Sequence, residues 1–301
     1  MMFHNPVLLN KSIDGLNIKP NGIYVDVTFG GGGHSALILK KLDKGKLFAF
    51  DQDKNTNKNA FNDKRFKLIN ANFRYIKKFL KIEGVHKIDG LLADLGVSSN
   101  QFDIAKRGFS IRFNGDLDMR MNTDSNFSAK DVVNDYSEED LSNIFYNYSD
   151  LKNSRKISSK IVVARKKNRI NTTKDLISII NPLVLTKNKN NFLARVFQAI
   201  RIEVNDEVKA LKEMLLSTVD LLEFQGRLAV ISYHSVEDRL VKNLIKKGDF
   251  EGNLKKDFFG NPIKQLKEIN NKIIVASQKE IQDNPRSRSG KLRIAEKTYE
   301  N

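Results

Sequence analysis

Val25-Asp-Val-Thr-Phe-Gly-Gly-Gly-Gly-His-Ser-Ala-Leu-Ile-Leu39 sets four consecutive glycines between a β-branched apolar run and a helix-like pattern. A strand, a tight turn and a helix in that order form the first half of a βαβ unit. Without Cβ atoms the turn lets a ligand approach the free N–H groups at the helix N-terminus. The same rhythm continues outward. Strands are expected at Ile23–Val27, Lys46–Phe50, Phe66–Ile69, Ile88–Ala93 and Arg227–Ser232, and helices at His34–Leu42, Tyr75–Ile82 and Val236–Lys247, with a polar helix after Asp51. Strands alternating with helices imply a parallel sheet with right-handed crossovers, an α/β fold of Rossmann-like type.

The glycines alone suit many nucleotides. A dinucleotide fingerprint starting at Gly30 and Gly32 needs a third glycine where Ser35 stands, and no Gly-Lys-Ser/Thr follows as in a Walker loop. What remains is Asp26-x-x-x-Gly30-x-Gly32 with a second acid, Asp51, ending strand two. An acid at that edge can accept bonds from both hydroxyls of a ribose, and Asp26 could hold a cationic amino-acid moiety. S-adenosylmethionine has both parts and no pyrophosphate. The plainer readings are a tight strand-to-helix turn and Asp51 as a helix N-cap. Asp94-Leu-Gly-Val-Ser-Ser99 follows strand four. There a carboxylate can accept the N–H bonds of an exocyclic amine and localise its lone pair, so Asp94 is such an acceptor, a residue orienting the cofactor, or another cap.

After Ser99 the strand rhythm stops. Residues 101–202 are expected to form an inserted all-helical domain, with Ser128-Ala-Lys-Asp131 and Ser137-Glu-Glu-Asp140 as helix starts. The sheet domain is then discontinuous, 1–100 and 203–301. Val204, Val208, Leu211, Leu215, Val219 and Leu222 fall at steps of three and four, which predicts one long amphipathic helix back to the sheet. The turn Phe224-Gln-Gly226 leads into strand five.

Fifty-two Lys and Arg against 36 Asp and Glu give a net charge of +16 over 301 residues, enough to attract a polyanion. Arg107, Arg112 and Arg120 lie near Asp116 and Asp118, so they bind RNA phosphates or form internal ion pairs. Arg286, Arg288, Lys291 and Arg293 make the C-terminal end basic, as a phosphate contact or as solvated charge. With zero cysteines and four scattered histidines no metal site is expected. The start lacks a signal-peptide pattern and no stretch approaches the roughly 20 apolar residues of a membrane span, so a cytoplasmic protein without membrane attachment is expected. Oligomeric state, a homodimer included, is not readable from the residues.

Eight separated blocks together resemble one family. They are His4-Asn-Pro-Val-Leu-Leu9, Thr28-Phe-Gly-Gly-Gly-Gly-His-Ser35, Asp94-Leu-Gly-Val-Ser-Ser99 with Gln101, Arg107-Gly-Phe-Ser110, Leu117-Asp-Met-Arg-Met121, Phe197-Gln-Ala-Ile-Arg-Ile202 with Val204-Asn-Asp-Glu207, Ile231-Ser-Tyr-His-Ser-Val-Glu-Asp-Arg239, and Asn284-Pro-Arg-Ser-Arg-Ser289. In this order they resemble the RsmH/MraW family of small-subunit ribosomal RNA cytosine-N4 methyltransferases, across nearly the whole chain. The resemblance implies a Rossmann-like class I methyltransferase sheet interrupted by a helical substrate-recognition domain, with S-adenosylmethionine as methyl donor. It also implies a cytidine in the decoding centre of 16S rRNA as target, on the small ribosomal subunit. The family's cofactor contacts carry over to Gly32, Gly33, His34, Asp51, Phe73, Asp94 and Gln101, with Asp94 as the catalytic candidate. Two departures stand out: Phe73 to Asp94 is one residue short, and Asn191-Phe-Leu-Ala194 replaces a His-Pro-Ala-Thr-like stretch. Tyr233 and His234, after strand five, are candidates to line the pocket for the base. Two other classes stay open on the residues alone, a nicotinamide-dependent oxidoreductase and a non-catalytic RNA-binding assembly factor.

Overall fold

Ile23–Asp26 (β1), Lys46–Phe50 (β2), Phe66–Ile69 (β3), Ile88–Asp94 (β4) and Leu222–Ser232 (β5) pair in parallel in the order β3-β2-β1-β4-β5. The chain continues the sheet with antiparallel strands. Lys291–Lys297 (β8) pairs with β5, while Leu266–Glu268 (β6) and Ile274–Val275 (β7) both pair with β8. These positions come from a computed structural model that describes residues 6–184, 188–270 and 272–298. His4 and Asn5 of the first family-like block lie outside the described residues.

The sheet forms because its inner strands are apolar on both faces, as a sheet covered by helices requires. Val25, Leu47, Leu91, Leu92 and Leu228 through Ile231 are all buried. The N-terminal helix Leu9–Leu16 (α1) places Ile13 and Leu16 in the same cluster as Ile38 and Leu39 of Gly33–Lys41 (α2). Ile76–Ile82 (α3) and Ser235–Lys247 (α11) follow β3 and β5. The order reverses direction between β1 and β4, and such a switch point leaves a crevice at the carboxyl edge of the strands.

The chain divides into two compact units, Met1–Gly96 with Lys209–Asn301, and Val97–Val208. The second unit is helical: Ser99–Asp103 (α4), Ala129–Asp135 (α5), Glu138–Ser149 (α6), Ser154–Arg165 (α7), Thr173–Ile180 (α8) and Lys189–Val204 (α9). Leu117, Val132, Phe145, Ile161, Leu176 and Ile200 lie at the centre of its apolar core. Two of its helix starts are the capped ones the sequence marks. Ser128 and Asp131 close a capping box on α5, and Ser137 Oγ accepts from the Asp140 N–H on α6.

Four local expectations differ from what is found. The long helix is present as Glu207–Leu221 (α10) but starts later than its periodicity suggests, because Val204 ends α9 and Asp206 takes a left-handed φ of 49° at the break between them. Asn205 causes the break: its side chain binds the Met121 N–H and the Met119 carbonyl instead of serving a helix surface. The turn at Phe224–Gly226 is a bulge inside β5, where the register steps from Ile88↔Leu222 to Gly90↔Arg227 and Gln225 has φ 62°. The polar segment after Asp51 is a 3₁₀ turn, Lys54–Asn59, capped by Asp53. The basic C-terminal end is ordered and divided: Lys291 and Arg293 lie in β8, where Leu292 and Ala295 are fully buried and Arg293 pairs with Asp238 at 2.8 Å, while Arg286 and Arg288 before it are exposed. Between β7 and β8 lies Gln278–Asp283 (α12).

Candidate active site

The carboxyl ends of β1, β2, β4 and β5 carry the chemistry of the sheet unit. The chain leaves β1 through Gly30 at φ 50° and Gly32 at φ 79°, left-handed conformations that glycine adopts without cost. Gly32 is the N-cap of α2 and gives no side-chain cap, so the N–H groups of the first turn have no side-chain acceptor there. The glycines differ in surroundings. A Cβ at Gly32 would stand 3.0 to 3.1 Å from the rings of Phe61 and Phe29, and one at Gly33 would collide with Pro6. A Cβ at Gly31 would meet nothing within 4 Å. Gly32 and Gly33 are therefore required by packing, and Gly31 is the position whose open side a ligand can approach.

Asp51 follows β2 and faces the turn. Its Oδ2 accepts the Gly30 N–H at 2.9 Å and its Oδ1 the Asp53 N–H at 2.8 Å, so each oxygen keeps lone-pair capacity for a further donor. Burial, against those two hydrogen bonds, raises the carboxyl from 3.8 to about 6. Phe73 opens a 3₁₀ turn after β3, half-buried, with Asn72 capping that turn.

Asp26, the expected partner of a cationic ligand group, is used inside the protein. Only 1% exposed, it accepts from Ser35 Oγ at 2.7 Å, Thr28 N–H at 3.0 Å and Thr28 Oγ1 at 3.3 Å. Thr28 Oγ1 in turn accepts the Asp94 N–H at 2.7 Å, which ties the ends of β1 and β4 together. The spacing Asp26-x-Thr28 is an Asx-type signal that the sequence reading passed over.

Asp94 ends β4 with its side chain 22% exposed. Oδ1 accepts the Tyr233 hydroxyl at 2.6 Å and Oδ2 lies 3.8 Å from His34 Nδ1. Burial lifts this carboxyl to about 6, opposed by His34 and by the Tyr233 hydrogen bond. Beside it the Tyr233 phenol is pushed well above its usual range by burial and the neighbouring carboxylate. His34 is buried, and its Nε2 is 3.1 Å from the Val7 carbonyl, so that nitrogen donates and Nδ1 is turned to Asp94. Its ring thus faces inward, and what His34 offers outward is the N–H of a helix first turn. His234 caps α11 in a box with Glu237. Tyr233, expected as a pocket wall, is the hydrogen-bond partner of Asp94.

Gln101 belongs to the helical unit. It is buried, and its side chain accepts the Ser98 N–H at 3.0 Å as half of the capping box of α4. In the same unit Arg120 is held by Asp118 at 2.6 Å and Arg107 by the Arg120 carbonyl at 2.8 Å, the internal alternative for both; Arg112 is exposed.

A 3-2-1-4-5 parallel sheet with an antiparallel strand beside the fifth, and acids behind a glycine turn at its carboxyl edge, define a Rossmann-like class I methyltransferase carrying a helical unit. The comparisons narrow the class. The model of the MraW methylase family matches residues 1–298, and the chain belongs to that family. It is 56% identical over 297 residues to the ribosomal RNA small subunit methyltransferase H of Phocaeicola vulgatus, covering 98% of each chain. The enzymes of that name from Christiangramia forsetii and Bacteroides thetaiotaomicron are 54% and 53% identical over 298 residues, with 99% of this chain and 98% of theirs covered. Among solved structures, an rRNA methylase from Streptococcus thermophilus aligns over 99% of both chains with a TM-score of 0.45 and 13% identity. The chain is thus a methyltransferase.

Proposed function

We propose that the chain transfers a methyl group from S-adenosylmethionine to N4 of one cytidine in the decoding centre of 16S rRNA, acting on the small ribosomal subunit in the cytoplasm. The observation that carries this reading is the convergence at one sheet edge of an uncapped helix start behind Gly31, the lone pairs of Asp51 and the partnered carboxylate of Asp94. The relatives named for ribosomal RNA of the small subunit supply the substrate. No helix among the described residues is long and apolar enough to cross a membrane.

The residues fit the methyl donor. The first-turn N–H groups of α2, with Gly32, Gly33 and His34, suit a carboxylate, and Asp51 suits two ribose hydroxyls. Phe73 suits an aromatic wall for an adenine. When bound, S-adenosylmethionine supplies an electrophilic methyl on a sulfonium. Asp94 accepts an N–H of the cytosine amine, and with its carboxyl at about 6 it is ionised near neutral pH and able to hold the proton the amine gives up. Tyr233 and Thr28 fix its orientation, so little reorganisation is needed.

The target base must leave its stack to reach a site of this kind. The helical unit is the substrate-recognition domain, and phosphate contacts make binding weaken with salt by about 0.7 log units per log unit for each neutralised single-strand phosphate. The test is nucleoside mass spectrometry of 16S rRNA from unmodified small subunits incubated with protein and donor. N4-methylated cytidine, absent with Asp94→Ala, is expected. Methylation at another atom or another nucleotide overturns the assignment.

A further inference from the structure

Outside the site, one feature of the sheet unit exposes large apolar side chains in an ordered setting. Leu254–Lys264 forms a hairpin, with an isolated antiparallel bridge between Lys256 and Pro262 and a hydrogen bond from the Ile263 N–H to the Lys255 carbonyl at 2.9 Å. At its tip Phe258 is 98% exposed and Phe259 84%. Their rings meet edge to face, with centroids 5.7 Å apart. The tip is tightly built. Asp257 Oδ1 accepts the N–H groups of Phe259 at 2.9 Å and Asn261 at 2.8 Å, Oδ2 accepts Asn261 Nδ2 at 3.0 Å, and the Asp257 N–H donates to the Asn261 carbonyl at 2.9 Å. Gly260 supplies the left-handed residue at φ 84°. A turn held by this many bonds presents its two aromatic rings in a fixed place. Their apolar area faces water, although covering one phenylalanine is worth about 1.5–3 kcal/mol.

The surroundings say what would cover them. Lys255 and Lys256 on one arm are exposed, Lys264 on the other is half-buried, and none of the three has an ion pair among the described residues. Asp257 is the one acid in residues 254–264, and its carboxylate is turned into the tip. Aromatic faces flanked by unpaired cations are the composition of a platform for single-stranded nucleic acid, where bases stack on rings and phosphates meet lysines.

We propose that the Leu254–Lys264 hairpin is a second RNA contact, with Phe258 and Phe259 stacking on unpaired bases of the substrate strand and Lys255 and Lys256 meeting its phosphates. The proposal rests on the RNA methyltransferase reading above. It adds a binding element remote in sequence from both the methyl-donor residues and the helical unit.

The test uses the full chain with Phe258→Ala/Phe259→Ala, Phe258→Trp/Phe259→Trp, Phe258→Leu/Phe259→Leu and Lys255→Ala/Lys256→Ala. Binding to a fluorescent single-stranded oligonucleotide is followed by anisotropy at several salt concentrations, beside methylation of small subunits. The altered side chains are exposed, so all four variants should melt with the wild type. The alanine pair should lose about 5- to 150-fold in affinity per base stacked, with an unchanged salt slope. The tryptophan pair should restore it and the leucine pair should not. The lysine pair should reduce the salt slope by about 1.4. Equal affinity of the alanine pair and wild type overturns the proposal. So does rescue by leucine, which points to an apolar protein surface, and so does loss of methylation on particles with oligonucleotide binding intact. Failure of the wild type to methylate any RNA sinks the functional reading instead, a separate outcome because oligonucleotide binding is measured without the methyl donor.

Discussion

Alanine placed in turn at Gly31, Gly32 and Gly33 separates what the glycine turn does for folding from what it does for a ligand. At Gly31 the added Cβ meets nothing within 4 Å and φ is outside the left-handed region, so unfolding free energy should stay within about 0.5 kcal/mol of wild type. At Gly32 the residue must keep φ 79° and push against Phe61 and Phe29 at 3.0 to 3.1 Å. Left-handed strain alone costs about 1–2 kcal/mol. At Gly33 the methyl overlaps Pro6, an overpacking of about 1–3 kcal/mol unless the N-terminal segment shifts. Urea unfolding of the protein alone should rank Gly31→Ala near wild type and the other two below it. Calorimetric titration with S-adenosylmethionine should show the complementary pattern. Gly31→Ala, with its fold intact, should bind at least about tenfold more weakly, a loss of about 1.4 kcal/mol. Wild-type affinity in Gly31→Ala would refute the placement of the donor on the open side of the turn. A destabilised Gly31→Ala would refute the account of its surroundings.

Two further outcomes concern the buried acids. Asp51 and Asp94 are both raised from 3.8 to about 6, so the folded protein binds more protons than the unfolded chain between those values. The charged forms cost stability above about pH 6, and that cost is relieved as pH falls toward 4, with a ceiling of about 3 kcal/mol per group. Urea midpoints at pH 5 and 7.5 should show a smaller gain on acidification in Asp94→Asn than in wild type; an equal gain removes Asp94 from the account. Tyr233→Phe removes the hydroxyl that helps hold Asp94 ionised, so the acid limb of the methylation pH profile should move to higher pH, with the protein destabilised by only about 1 kcal/mol. An unmoved acid limb would show that Asp94 does not set it.

The strands and the glycine turn were legible because their signals are local: apolar runs of four to seven residues, the first leading into the glycines and the second and fourth ended by an acid. The acids Asp51 and Asp94 could be placed at strand ends for the same reason. What could not be read is where each side chain spends its hydrogen bonds. Asp26 looked as available as Asp51, yet Thr28 and Ser35 occupy it from two and nine residues away. Tyr233 reaches Asp94 across 139 positions, a contact that exists only once β5 is beside β4. Val204 fits the period of α10 yet ends α9, and Asn205 after it spends its amide on the backbone of Met119 and Met121 more than 80 residues earlier. Likewise Phe258 and Phe259 carry no periodicity; only their exposure on a built hairpin gives them meaning.

The electrostatics of the sheet edge add a condition on what can bind there. Asp26 couples unfavourably to both Asp51 and Asp94, and burial already disfavours charge on the latter two. A ligand bearing positive charge relieves that repulsion, so binding S-adenosylmethionine, with its sulfonium and ammonium groups, should pull both carboxyls down from about 6. The sign follows from linkage. Below about pH 6 these groups are protonated in the free protein and must ionise on binding, so protons are released and affinity falls by up to about tenfold per pH unit for each proton. Well above that range no proton is exchanged and affinity is flat. Calorimetry at pH 6 in two buffers of different ionisation enthalpy measures the release directly. A value between about half a proton and one is expected in wild type, and less in Asp51→Asn. Equal heats in the two buffers would mean that neither acid feels the ligand's charge, and the donor would have to lie elsewhere on the chain.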